Sequence, residues 1–346
     1  MKIVVLCGGL TNERDVSISS GTGVARALRE RGHRVALVDL YLGCPDLSDN
    51  DAEAMFSASE EIGRYAGGEN APELEAVKAM RPDSQCRIGP NVLSLCALAD
   101  ITFLALHGEE GENGKLQATL DLHGIRYTGC GYLGSALAMN KRLSKQLFRL
   151  AGIATPEAVT LSRGEAPYAD VGFPCVVKPC SGGSSVGTSI VRDKAEYAAA
   201  LTLAFQYEEQ VLVEKYIKGR ELTVGVIDGE AMPVVEIIPK SGFYDYKNKY
   251  QAGATLEICP AEIGEEATRC VQRLAERAHE TLMLEAYSRA DFLWDDDSGE
   301  IYCLEVNTLP GMTPTSLIPQ MAEALGMDYG ALCEKIIEVS LRKYEA

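Results

Sequence analysis

Residues 302–312 read YCLEVNTLPGM, an apolar strand interrupted at alternate positions by Glu305 and Asn307 and broken at Pro310-Gly311. Side chains alternate across a strand, so the carboxylate and the amide share one face. Just upstream, SRADFLWDDDSGEIYCLEVN (288–307) carries a hairpin signal, turning at Asp297-Ser298-Gly299. On its first strand Arg289 and Asp291 also share a face, alternate positions being roughly 7 Å apart. The turn therefore gathers two carboxylates, an amide and a guanidinium in otherwise apolar strands. Isolated buried carboxylates are very costly, so they need compensating charge. Two readings meet that need. One is an oxygen-donor Mg²⁺ site of Asp291, Glu305 and Asn307, completed by phosphate oxygens and water. The other is a structural ion pair of Arg289 with Asp291 or Glu305.

Working outward, VVKPCSGGSSVGTS (176–189) sets Lys178 at a strand end before a glycine- and serine-rich loop. Its small side chains and exposed N–H groups suit phosphates. The pattern GxxxxGK[ST] is absent, so it is no Walker loop. A bare loop of this kind is as easily a hairpin connection; Lys178 before it and the acidic hairpin after it favour a nucleotide site. VLVEKYIKGRE (211–221) adds Glu214 and Glu221. An apolar strand edge followed by a lone acid suits adenine packing with a ribose contact, although each acid singly reads as a solvated surface group. In GGLTNERDVSISSG (8–21) the order GxGxxG is missing, and Glu13 stands where a pyrophosphate would lie. A carboxylate there suits a ligand ammonium; the competing reading is a helix N-terminal acid favoured by the macrodipole.

The 346 residues suffice for two or three domains. Thirty-three Lys and Arg against 50 Asp and Glu, for a net charge of −17, disfavour nucleic acid or an anionic membrane as partner. The longest apolar stretch, VLSLCALADITFLAL (92–106), is too short for a membrane span and is broken by Asp100. MKIVVLCGG reads as a strand, not a signal peptide. Eleven cysteines with no CxxC pair imply buried thiols in a reducing cytoplasm, without zinc.

IVVL (3–6), a helix over GTGVARALRERG and VALVDL (35–40) make a strand–helix–strand unit with a parallel sheet. DITFLALHG (100–108) is a further strand, followed by a polar loop EEGENG and a helix from Lys115 to Leu122. One helix is expected over 135–150, strands over FPCVVKP, 188–192 and 211–217, and a helix over 194–206. A hairpin turns at Asp228-Gly229, and helices cover 264–283 and 329–344. The last has apolar Leu332, Ile336 and Val339 at helical spacing and reads as packing. Residues 43–91 carry no clear signal.

Seven stretches, GGLTNERDVSISSG, ALHGEEGENGKLQ, YTGCGYLGSALAMNK, VVKPCSGGSSVG, VLVEKYIKGRELTVGV, FYDYKNKY and LEVNTLPGMTPTSL, together resemble the D-alanine–D-alanine ligases of the ATP-grasp superfamily, in order from residue 3 to about 320. The resemblance implies a mixed α/β protein with the ATP-grasp fold. An N-terminal parallel α/β domain (1–134) would precede two mixed-sheet subdomains (135–219 and 220–346) sandwiching ATP. It implies Lys141 and Lys178 on phosphates, Ser184 and Ser185 in the phosphate loop, Glu214, Lys215, Tyr216 and Ile217 at the adenine, and Glu221 on the ribose. Asp291, Glu305 and Asn307 would hold two Mg²⁺, with Mn²⁺ as a substitute. Glu13 would hold the ammonium of the first D-alanine beside His107, linked through Ser184 and Tyr250 to the loop 241–255. Arg289 and the Gly311 N–H would be oxyanion donors. Lys249, Ser316 and Leu317 would form the second D-alanine site, and Lys249 would also reach the nucleotide. A cytoplasmic homodimer is implied, making D-alanyl-D-alanine for peptidoglycan precursors. The alternative is a relative joining D-alanine to D-serine or D-lactate. Tyr250 and Leu317 favour D-alanine; the spacer 313–315 matches no subtype.

Overall fold

The computed structural model describes residues 1–45, 47, 52–56, 74–81, 85–165, 171–183, 185–240 and 255–345. The chain starts with a parallel sheet in the order β2-β1-β3, from β1 (Lys2–Cys7), β2 (Arg34–Asp39) and β3 (Ile101–Leu104). Away from their charged ends these strands are largely apolar because both faces are covered. The helix joining β1 to β2 runs Arg14–Glu30, starting seven residues before the expected Gly21. Serine is a weak helix former because it competes for backbone bonds. Here those bonds go to other elements: Ser17 Oγ donates to Ala105 O (2.7 Å) and accepts from Gly8 N (2.9 Å). Tertiary contacts therefore carry DVSISS into the helix. One helical turn, Glu109–Glu112, also forms inside the expected EEGENG loop.

The expected single helix over 135–150 is two, Tyr132–Met139 and Lys141–Leu150. Asn140 sits between them with an extended ψ of 95°, its side chain accepting from Leu143 N as an N-cap. An antiparallel sheet follows in the order β4-β7-β5-β6, from β4 (Ala158–Ser162), β5 (Cys175–Pro179), β6 (Ser189–Val191) and β7 (Gln210–Lys215). β4 has no counterpart in the sequence reading.

The third sheet has the order β11-β10-β8-β12-β13, with the two-residue β9 on β8. Its members are β8 (Gly219–Ile227), β9 (Glu230–Ala231), β10 (Val235–Pro239), β11 (Thr255–Ile258), β12 (Tyr287–Asp295) and β13 (Ile301–Asn307). The β8–β9 turn is Asp228-Gly229, both with positive φ (60° and 78°), as expected of this dipeptide. The helix Glu265–Thr281 packs on this sheet. Ala138, Phe148 and Ile153, from the helical pair and its exit, join the same core. The helices Leu317–Ala324 and Tyr329–Leu341 instead complete the core of the first sheet, where Leu332, Ile336 and Val339 are buried. Among the described residues no helix is long and apolar enough to cross a membrane. All eleven cysteines are free thiols.

Candidate active site

The second and third sheets face each other across a cleft of about 510 Å³, within the ~300–1,000 Å³ usual for small-ligand sites. Val176, Ile190, Ile217, Leu293 and Leu304 give it apolar walls beside Tyr216, while Lys141, Lys178, Ser185, Lys215, Glu221, Asp291 and Glu305 also line it. Glu221, at the start of β8, stands opposite Leu293 and Ile237.

Glu214 departs from a solvated surface acid. Only 3% of its side chain is exposed, and its two oxygens meet Lys178 Nζ at 2.6 Å and Lys145 Nζ at 2.7 Å. Burial alone would raise this carboxyl, but the two ammoniums outweigh it and hold it below the usual carboxylate range. One anion thus serves two cations, so the cleft floor keeps a surplus positive charge suited to phosphate. Lys145, itself bonded to Thr155 Oγ1 (2.6 Å), is pushed down to about 8 by burial, against the pull of Glu214. Lys145 was missed in the sequence, though a signal exists. Lys141, Ser144, Lys145 and Phe148 form the buried face of one helix at i, i+3, i+4 and i+7 spacing. Lysines on such a face call for partners.

The hairpin takes the expected form. Register pairs Arg289 with Asn307 and Asp291 with Glu305, and a bulge between Asp291 and Phe292 shifts the ladder beyond them. Bulges recur beside functional sites, where they re-aim side chains. Like charges directly opposite are unfavourable, and each carboxylate has a cation. Arg289 bonds Asp291 twice (2.9 and 2.8 Å), and Lys141 Nζ lies 3.1 Å from Glu305 Oε2. Asp291 also accepts from Thr223 Oγ1 (2.6 Å) and Asn307 Nδ2 (2.9 Å). The ion-pair reading is therefore present in the fold. It does not displace the metal reading, because the donor set is all oxygen and Asn307 spends its nitrogen, not its oxygen, on Asp291. Among the described residues no three His, Cys, Asp or Glu side chains gather tightly enough to cage an ion alone. The set fits a hard divalent ion that brings phosphate oxygens with it.

A second cleft, of about 470 Å³, opens on the N-terminal side and shares Pro179, Gly182, Gly183 and Val186 with the first. Glu13 lines it. Side chains at Gly108 and Gly183 would place a Cβ 2.7 and 3.0 Å from Glu13 Oε2, so two glycines from distant elements bracket this carboxylate. Lys141 Nζ donates to Gly182 O (2.6 Å), tying the loop base to the hairpin through one ammonium.

Gly311 lies in the turn after β13, where a Cβ would come 2.7 Å from Ser316 Oγ. Ser316 Oγ accepts from Thr313 N (3.0 Å) and bonds Thr313 Oγ1 (2.7 Å), so the unmatched spacer 313–315 is a closed turn. Leu317 begins the next helix with its side chain in the core. His107 is buried, and both ring nitrogens are engaged, Nδ1 with Leu309 O and Nε2 with Ser20 Oγ (3.0 Å each). Burial holds it below the ordinary histidine range. Ser184, Lys249, Tyr250 and nearly all of the 241–255 loop lie outside the described residues. Glu112, which the sequence did not single out, stands near Glu13. Burial first, and the charge of Glu13 second, raise it to about 7.

The chain matches the family models "D-ala D-ala ligase N-terminus" over residues 2–130 and "D-ala D-ala ligase C-terminus" over 147–338. It is 42% identical to a D-alanine–D-alanine ligase of Pediococcus pentosaceus, covering 100% of this chain and 99% of that one. A crystal structure of the Bacillus anthracis D-alanine–D-alanine ligase complexed with ATP superposes with a TM-score of 0.76 at 31% identity, covering all of both chains. The VanG D-Ala:D-Ser ligase of Enterococcus faecalis follows at 0.73 and 30%, covering 98% of this chain and 99% of that one.

Proposed function

The chain belongs to the D-alanine–D-alanine ligase family and is an enzyme of that kind with the ATP-grasp fold; from this premise we propose that it joins two D-alanines at the expense of ATP, through an acyl phosphate. The observation that carries the reading is the position of Glu13. Its carboxylate lies beside Gly183 of the glycine–serine loop, where the two clefts meet.

ATP lies in the larger cleft, its adenine along Glu214–Ile217, its ribose toward Glu221 and its phosphates beneath Ser184 and Ser185. Glu13 anchors the first D-alanine by its ammonium, supported by Ser184 and Tyr250, with His107 behind the pocket. The substrate carboxylate attacks the γ-phosphorus, ADP leaves, and Lys141 and Lys178 offset the charge gathering on phosphate oxygens. The neutral amine of the second D-alanine, held by Lys249, Ser316 and Leu317, attacks the acyl carbon and passes a proton to the departing phosphate. Arg289 and the Gly311 N–H meet the oxyanion, phosphate departs, and the peptide bond remains. Each such donor is worth about 10²–10³ in rate. Asp291, Glu305 and Asn307 are the residues that would hold two Mg²⁺, or Mn²⁺ in their place, which when bound neutralise phosphate charge. The loop 241–255 closes over the site and excludes water. Three units, 1–134, 135–219 and 220–346, supply the first-substrate side, the phosphate loop and the metal side. A homodimer in the cytoplasm is part of the same proposal, and eleven free thiols fit a reducing compartment.

The test is phosphate release from Mg-ATP with D-alanine alone, with added D-serine or D-lactate, and with L-alanine, each product identified by mass. D-alanyl-D-alanine as the dominant product, with none from L-alanine, is expected. A preferred mixed product would move the second-substrate assignment to D-serine or D-lactate. No phosphate release in any mixture would overturn the catalytic reading.

A further inference from the structure

The turn that follows β13 is held by side chains from the other end of the chain. Glu112 Oε1 accepts from Thr308 N (3.2 Å) and Leu309 N (3.0 Å), while its Oε2 accepts from Gly108 N (2.9 Å). His107 Nδ1 donates to Leu309 O, which leaves its Nε2 to accept from Ser20 Oγ. Ser20 Oγ in turn takes the N–H of Met312 (3.3 Å), and Tyr329 OH donates to Met312 O. Thr308, Leu309 and Met312 are thus pinned on both sides of Gly311, and none of these bonds uses the Gly311 N–H.

We infer that Glu112 is a positioning residue, one carboxylate that sets the gap between the Gly108 wall against Glu13 and the turn presenting Gly311, with Ser20 and His107 completing the clamp. The geometry distinguishes this from ordinary loop packing. The two Glu112 oxygens bond two separate segments, Gly108 four residues away through one oxygen and Thr308 and Leu309, 196 and 197 residues away, through the other. A carboxylate is needed because all three partners are donors; an amide in its place would turn an N–H₂ toward one wall or the other. A 1 Å misplacement of a positioning group costs about 10²-fold in rate. His107, with both nitrogens committed, acts through this turn and not by touching the amino acid.

The inference rests on the ligase reading, and the experiment separates the two. Wild type, Glu112→Gln and Ser20→Ala are compared for kcat, for KM at each D-alanine site, for ATP affinity by calorimetry and for thermal midpoint. A phosphinate mimic of the dipeptide, whose tetrahedral oxygens stand in for the oxyanion, is titrated against each. Glu112→Gln is expected to lower kcat about 10²-fold, and to weaken the mimic by a similar factor. ATP affinity should stay within about twofold of wild type, since Glu112 lies outside the nucleotide cleft. Ser20→Ala should show the same pattern at about tenfold, as a single neutral hydrogen bond to the turn is lost. If wild type makes no D-alanyl-D-alanine, the ligase reading fails. If wild type turns over, and both variants keep kcat and mimic affinity within threefold while only the thermal midpoint falls, the clamp is structural and the inference is wrong. Should Glu112→Gln not fold, the Ser20→Ala pattern decides alone.

Discussion

Replacing Lys145 with methionine tests the charge arrangement at the cleft floor. Lys145 and Glu214 expose only 2% and 3% of their side chains and meet at 2.7 Å. Removing one partner of a buried pair costs about 3–5 kcal/mol, because the remaining charge is left dry and uncompensated. Glu214 keeps Lys178 at 2.6 Å, so the lower end applies. The bond to Thr155 Oγ1 adds about 1 kcal/mol. The expected loss is about 4 kcal/mol, or about 8 °C in thermal midpoint at about 2 °C per kcal/mol. The assay is differential scanning fluorimetry at fixed scan rate on Lys145→Met, Glu214→Gln and the double variant. With the pair real, the double variant should lose at least about 1 kcal/mol less than the sum of the singles. A shift under 2 °C, or strict additivity, would refute the argument that Glu214 is shared between two cations.

Gly108 sits at φ 72° and ψ −167°, a region open essentially to glycine alone. Gly108→Ala should therefore cost about 1–3 kcal/mol and, by crowding Glu13, raise KM for the first amino acid more than KM for ATP in steady-state assays. Glu305→Gln removes a donor from the proposed ion site and the partner of Lys141. A kcat loss of about 10²-fold or more is expected, together with a shift of the metal titration to higher Mg²⁺ concentration. His279 is pushed down to about 4 by burial, a backbone bond at Leu284 offsetting part of the shift. The unfolded chain then binds a proton near pH 6.5 that the folded chain refuses until about pH 4. Stability falls as pH drops through that window, by about 3 kcal/mol in all. In denaturant titrations from pH 7 to 4, His279→Gln should flatten that slope.

What the sequence reveals follows from how local each signal is. The hairpin with Arg289, Asp291, Glu305 and Asn307 is legible because alternation and an Asp-Ser-Gly turn define face and partner together. Glu13 and the 182–187 loop are legible as chemistry, by charge and composition, but their closeness across 170 residues is not. Ser17 and Ser20 hide the true helix start, since their favourable bonds are to elements about ninety residues away. Glu214 reads as a surface acid until Lys145 is placed beneath it. Glu112 has no periodicity to mark it; three backbone N–H groups from two elements define its role.

The first sheet has a core that includes Leu332, Cys333, Ile336 and Ile337, made more than two hundred residues after its last strand. Its strands emerge from the ribosome between about 225 and 325 residues before the helix that completes their core. Tyr344 even returns to bond the backbone of Tyr127. A chain halted before Tyr329 therefore lacks the helix that packs on Arg14–Glu30, and that side of the core stays open. During synthesis, that apolar side stays unpaired until Tyr329–Leu341 follows.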